Sequence, residues 1–203
     1  MVRDIERVLI DRQTIAKRVR ELAAQIGADL QQEAMKAAGG HFPSGAAPES
    51  ALDGKVMMVP VLTGSVVFVA DLIRELPHKL SLEMVAVSSY PGASMESKGA
   101  KLRGVLPSNM AGKHVLLVDD ILDSGQTLDL LTKLIAEHNP ASLRVCVLLR
   151  KPGKAKVDVK AHYVGFDIPD EFVVGYGLDF DGFYRNYPEI ATLKREAITG
   201  EGR

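Results

Sequence analysis

Five short apolar runs, at residues 56–62, 82–88, 115–118, 144–149 and 163–166, are separated by stretches of helical spacing near 65–76 and 125–138. Strands that alternate with helices cannot all close as hairpins. They need crossover connections, and the stable arrangement is a mostly parallel, twisted sheet with helices on its faces. The chain is therefore expected to adopt an α/β fold. Ahead of these runs, Ile15, Val19, Leu22, Ile26 and Leu30 recur with a period near 3.6. That spacing predicts an amphipathic helix over 12–37, with Asp11 as its N-cap. On such sheets ligands gather at the carboxyl ends of the strands.

At 203 residues and 46% hydrophobic, the chain suits one well-buried domain, 1–203. Residues 38–54 are rich in Gly, Pro, Ala and Ser and read as a surface insertion. Residues 89–112, rich in Ser, Gly and Lys, show no apolar period and read as a long loop of the kind that serves as a lid. The 25 basic and 26 acidic residues nearly cancel, which gives no bulk attraction to nucleic acid or to an anionic membrane. Cys146 is the single cysteine and stands in an apolar run, so it reads as a core residue of a protein from a reducing cytoplasm. No stretch has the length of a membrane span, and the first residues are charged.

The most chemical stretch is 115–128, VLLVDDILDSGQTL. Four apolar residues of strand character run into Asp119 and Asp120, and a turn of Asp123, Ser124, Gly125, Gln126 and Thr127 then opens a helix. Backbone N–H groups and hydroxyls at a helix start favour an anion. Two carboxylates cannot bind phosphate, but they suit ribose hydroxyls or a hydrated cation. A ligand for both parts carries a sugar and a phosphate. The turn lacks the lysine and glycine spacing of a Walker loop.

This stretch resembles the phosphoribosyl diphosphate (PRPP) signature of the type I phosphoribosyltransferases, most closely the hypoxanthine-guanine enzymes. VLTGS at 61–65, SSY at 88–90, LLRKP at 148–152, YVGFDIPDEFVVGYGLDF at 163–180 and FYRNYPEI at 183–190 match that family in order and spacing, over roughly 56–193. The resemblance implies a type I fold with a small hood and a mobile loop carrying Ser89 and Tyr90. It implies transfer of a 5-phosphoribosyl group from PRPP to N9 of hypoxanthine or guanine, with Mg²⁺ as cofactor, in a cytoplasmic homodimer or homotetramer. A PRPP- or nucleotide-sensing regulator on the same fold is the alternative.

The resemblance also assigns residues. Asp119 and Asp120 bind the ribose hydroxyls, although the family more often has Glu at the first position, so Asp119 reaches one methylene less far. Ser124, Gly125, Gln126 and Thr127, with Asp123, form the 5-phosphate cradle. Asp123, which on local grounds is equally an N-cap, faces the purine and takes a proton. Lys151 donates to the purine 6-oxo group, Phe172 stacks on the base, and Val173 presents backbone to its edge. Asp179 is linked to the metal, in part through water, with Asp119 and Asp120 as further candidates. Thr63, Gly64 and Arg185 hold pyrophosphate. Thr63 departs from the family's frequent lysine, and the Leu62–Thr63 peptide is expected to be cis.

Overall fold

The computed structural model describes residues 1–37, 39, 52–89 and 100–200. In chain order the elements are β1 (Ile5–Ile10), α1 (Arg12–Ala37), β2 (Val56–Leu62), α2 (Val66–Glu75), β3 (Leu80–Leu82) and β4 (Val85–Ser89). There follow β5 (Ala100–Arg103), β6 (His114–Leu122), α3 (Gln126–Ala136), β7 (Ser142–Arg150), β8 (Tyr163–Asp167), β9 (Val173–Val174), β10 (Ile190–Leu193) and α4 (Arg195–Thr199).

The main sheet runs β5-β4-β2-β6-β7-β8, with β3 paired to β2, and all of its pairings are parallel except β4 with β5. Both faces of this sheet are covered. Because strand side chains alternate, Met57, Val59, Val115, Leu117, Val145 and Val147 enter one core with Leu128, Leu131 and Ile135 of α3. Val56, Met58, Leu116, Val118, Cys146 and Leu148 enter the other, under α1 and α2. The strands are thus apolar on both sides, as a sandwiched parallel sheet requires. All five periodic residues of α1 are buried in the second core, and Cys146 with them. Asp11 caps α1, its Oδ1 accepting from the N–H groups of Gln13 and Thr14 at 2.9 Å each. A second, small antiparallel sheet, β1-β10-β9, joins the start of the chain to its last strand and forms the expected hood.

Four expectations need correction. The apolar run at 82–88 is two strands, β3 against Val56–Met58 and β4 against Val61–Leu62. The strand at 115–118 is longer: β6 continues through both acids to Leu122. The 89–112 segment is not all loop. β5 pairs antiparallel with β4, Leu102 and Leu106 pack on the core and Met110 is fully buried. The 38–54 insertion is not wholly on the surface: Leu52 is buried in the core under α1, while Asp53 and Gly54 after it are exposed; residues 38 and 40–51 lie outside the described residues.

One polar network ties α1 to the sheet. Arg144 donates to Asp29 at 2.7 Å, to Glu33 at 2.5 Å and to the Tyr163 hydroxyl at 2.6 Å. Burial pushes the Glu33 carboxyl up, but the hydrogen bonds from Arg144 and Ser142 outweigh it and hold the group below its ordinary value. Arg144→Met should leave two partly buried carboxylates without their cation and cost about 1–3 kcal/mol. At roughly 2–4 °C per kcal/mol for a domain of this size, thermal melting would detect the loss. An unchanged Tm would show that the network contributes nothing.

Candidate active site

The site grows from a mismatch in strand length. β2 pairs with β6 only as far as Pro60 and Val118. Beyond that point β6 continues beside β7 alone, so Asp119 and Asp120 flank an opening where β2 has turned away. Asp119 is buried, and its Oδ1 accepts the Asp120 N–H at 2.9 Å. Burial, reinforced by the adjacent Asp120 charge, pushes the Asp119 carboxyl well above its ordinary range. Burial raises Asp120 as well, opposed by hydrogen bonding to Asp119 and by Arg185.

The turn after β2 is fitted against this pair. Leu62–Thr63 is a cis peptide. A Cβ on Gly64 would lie 1.6 Å from Asp120 Oδ2, and one on Gly177, at φ +105°, would lie 2.0 Å from the Gly64 carbonyl oxygen. Three segments distant in sequence therefore meet where only glycine fits. Arg185 closes the far side: Nη1 donates to the Gly177 carbonyl at 2.7 Å and Nη2 lies 2.6 Å from Asp179 Oδ1. The other Asp179 oxygen accepts the Gly182 N–H at 2.8 Å.

The turn after β6 leads into α3. Gly125, at φ +80°, is the N-cap of α3, and no side chain caps that helix. The N-cap reading of Asp123 is therefore wrong. Its carboxylate faces Lys151 Nζ at 3.4 Å and Lys154 Nζ at 3.2 Å instead. Lys151 is buried at the end of β7, its N–H donating to the Leu122 carbonyl at 3.1 Å, which sets it beside Asp123.

A cleft of about 710 Å³ joins these parts. Thr63, Gly64, Asp119, Asp120, the whole 123–127 turn, Asp179 and Arg185 line it. Lys151 stands behind Asp123 rather than on the wall. Phe172 and Val173 are also off the wall: Phe172 is half-exposed and meets Phe180 edge-on at 5.6 Å, while Val173 is buried in β9. Ser89 ends β4, and Tyr90 lies outside the described residues. The cleft also holds Lys154 and Lys156, which sequence reasoning passed over. The run KPGKAK at 151–156 reads as a solvated charge cluster until the fold turns it back on the phosphate turn, where the Lys156 N–H donates to the Ser124 carbonyl at 2.9 Å. A larger opening of about 870 Å³, bordered by Arg3, Phe183, Tyr184 and Lys194, contains neither the acid pair nor the start of α3. Among the described residues no three carboxylates, imidazoles or thiols group together as a metal site. None of their helices is long and apolar enough to cross a membrane.

Strand-end carboxylates and a helix start share one cleft, and the model of the phosphoribosyl transferase domain matches residues 9–181. The chain is 41% identical to hypoxanthine-guanine phosphoribosyltransferase of Mycobacterium tuberculosis over 191 residues, 94% of this chain and 87% of that one. It is 37% identical to the Bacillus subtilis protein of that name over 194 residues, 96% of each. A crystal structure of a Staphylococcus aureus hypoxanthine phosphoribosyltransferase superimposes with a TM-score of 0.81 at 38% identity, over 97% of this chain and 96% of that one. The chain belongs to the hypoxanthine-guanine phosphoribosyltransferase family. Relatives that are enzymes leave the regulator alternative without support.

The packing at Gly64 yields a test of the cleft's construction. Gly64→Ala should lower stability by about 1–3 kcal/mol, because the new methyl displaces the Asp120 carboxylate. Adding Asp120→Ala should recover most of that loss in a melting experiment. No recovery would mean that the two residues do not press on each other.

Proposed function

We propose that the protein transfers the 5-phosphoribosyl group of PRPP to N9 of hypoxanthine or guanine, giving IMP or GMP and pyrophosphate. The observation that carries this reading is the single cleft in which strand-end acids, a glycine-capped helix start and Asp123, backed by Lys151, converge. The 5-phosphate rests on the 124–127 turn, where N–H groups and the hydroxyls of Ser124 and Thr127 can donate. The ribose hydroxyls donate to Asp119 and Asp120. Pyrophosphate lies toward the backbone of Thr63 and Gly64 and toward Arg185, with no lysine at position 63 to add charge.

In the reaction the C1–O bond to pyrophosphate breaks, the leaving group keeps the electron pair, and N9 bonds to C1. The purine's surplus imidazole proton passes to the Asp123 carboxylate. Lys151 donates to the 6-oxo group, Phe172 stacks on the ring, and Val173 offers backbone at its edge. The segment that starts at Ser89 and Tyr90 keeps water from C1, where it would hydrolyse PRPP. Asp179, with Asp119 and Asp120, would hold Mg²⁺ partly through water; when bound, the ion offsets charge on the diphosphate. With no three-ligand cage among the described residues, most of its oxygen ligands must come from PRPP and water. The protein works as a homodimer or homotetramer in the cytoplasm, without nucleic acid or membrane partners.

Incubation with PRPP, Mg²⁺ and each base tests the proposal: IMP and GMP should form with an equivalent of pyrophosphate. Absence of nucleotide with either base would overturn it. Adenine should be a very poor substrate, because the buried, protonated Lys151 offers only donors and would face the donors of its 6-amino group. Adenine turnover matching that of hypoxanthine would remove Lys151 from base selection. Asp123→Asn should lower kcat by about 100-fold or more while changing PRPP affinity little. Near-normal kcat in that variant would exclude Asp123 as the proton acceptor.

A further inference from the structure

One carboxylate beside Asp123 has no part in the chemistry above. Asp170 stands on the segment between β8 and β9, held in place by buried Ile168, whose N–H donates to the Arg150 carbonyl at 2.9 Å. Asp170 Oδ1 lies 3.2 Å from Lys151 Nζ and accepts a hydrogen bond from Lys154 Nζ at 2.5 Å. The same two ammoniums flank Asp123, Lys151 at Oδ2 and Lys154 at Oδ1. Two cations and two anions thus form a closed ring. In this ring both oxygens of the proton acceptor are engaged, and the ammonium needed by the base is engaged too.

Each oxygen of Asp123 faces an ammonium, so one of these cations must withdraw before that oxygen can take the purine's proton. A purine that draws Lys151 to its 6-oxo group must also detach that ammonium from its present partners. Asp170 serves the first of these demands. It offsets one of the two positive charges, and it offers Lys154 an anion other than Asp123.

We propose that Asp170 is a positioning residue of the base site: it competes with Asp123 for Lys151 and Lys154, so that as the base takes Lys151, Lys154 passes to Asp170 and one oxygen of Asp123 is freed for the purine proton. The inference rests on the base-site reading above. Its special claim is that Lys154 restrains Asp123 and Asp170 relieves the restraint.

Steady-state kinetics with PRPP, magnesium and hypoxanthine test it in four variants: Asp170→Asn, Asp170→Glu, Lys154→Met, and Asp170→Asn combined with Lys154→Met. Asp170→Asn should lower kcat about two- to tenfold, the scale of one partly exposed ion pair within a network. The KM for PRPP should not move, and Asp170→Glu should behave as wild type. The decisive arm is the double variant. Removing Lys154 frees an oxygen of Asp123 by another route, so kcat should return toward the wild-type value. Wild-type kinetics in Asp170→Asn, or a double variant as slow as Asp170→Asn alone, would overturn the proposal. Asp170 is largely exposed, so melting of each variant should match wild type; if Asp170→Asn melts early, Asp170→Ser serves in its place. Active wild type with an indifferent Asp170→Asn overturns this inference alone, whereas wild type that forms no nucleotide overturns the base site with it.

Discussion

The structure depends on two adjacent carboxylates placed where water is scarce. Asp119 and Asp120 follow one another on β6, and among the described residues neither forms an ion pair. Desolvation, joined at Asp119 by repulsion from Asp120, keeps their protons bound more tightly in the folded chain than in the unfolded one. The sign follows from linkage: groups whose folded pKa is raised destabilise the protein above that pKa, and the penalty fades as pH falls toward the ordinary carboxylate value. A fold selected for stability alone would not place them there. Strain of this kind belongs at a functional site.

Much of the surrounding architecture accommodates that pair. β2 stops pairing with β6 at Pro60, so on that side the acids face an opening rather than a neighbouring strand. Gly64 gives the Asp120 carboxylate room, and Gly177 in turn gives room to Gly64. Gly177 is held by Arg185, and Tyr176, next to it, donates its N–H to the Tyr187 carbonyl at 2.7 Å. The hood, which brings β1 and β10 together from the two ends of the chain, thereby sets one wall of the cleft. Substitutions far from the cleft in sequence can reach it through these contacts, because close backbone approaches transmit displacement with little slack.

The sheet was legible because its strands are buried on both faces and leave unbroken apolar runs, as at 56–62 and 144–149. The hood was expected only through the family resemblance, because β9 has two residues, β10 has four, and half of β1 is exposed, so none offers a period to read. β5 was hidden for a related reason: it has four residues, of which Leu102 packs on the core, and no strand template detects so short a run. At the site, the acid pair and the 123–127 turn stood out because their chemistry is compressed into nine residues. Asp123 as cap or base was ambiguous on spacing; the helix start at Gly125 removes the cap, and the carboxylate faces Lys151 and Lys154 instead. Lys154 and Asp170 were invisible, since their meaning lies in a contact across 16 residues that two loops create.

The central claim is that the acid pair exists for a ligand, at the expense of the fold. Asp119→Asn separates the two most directly, because the amide keeps an oxygen able to accept the Asp120 N–H while removing the charge. The Tm without ligand should rise at pH 8, by about 2–4 °C for each kcal/mol of repulsion removed. That gain should shrink as the pH falls through the raised Asp119 pKa. Calorimetric titration of the same variant with PRPP and magnesium should show weakened binding. A variant that melts earlier than wild type and binds PRPP as tightly would contradict the account.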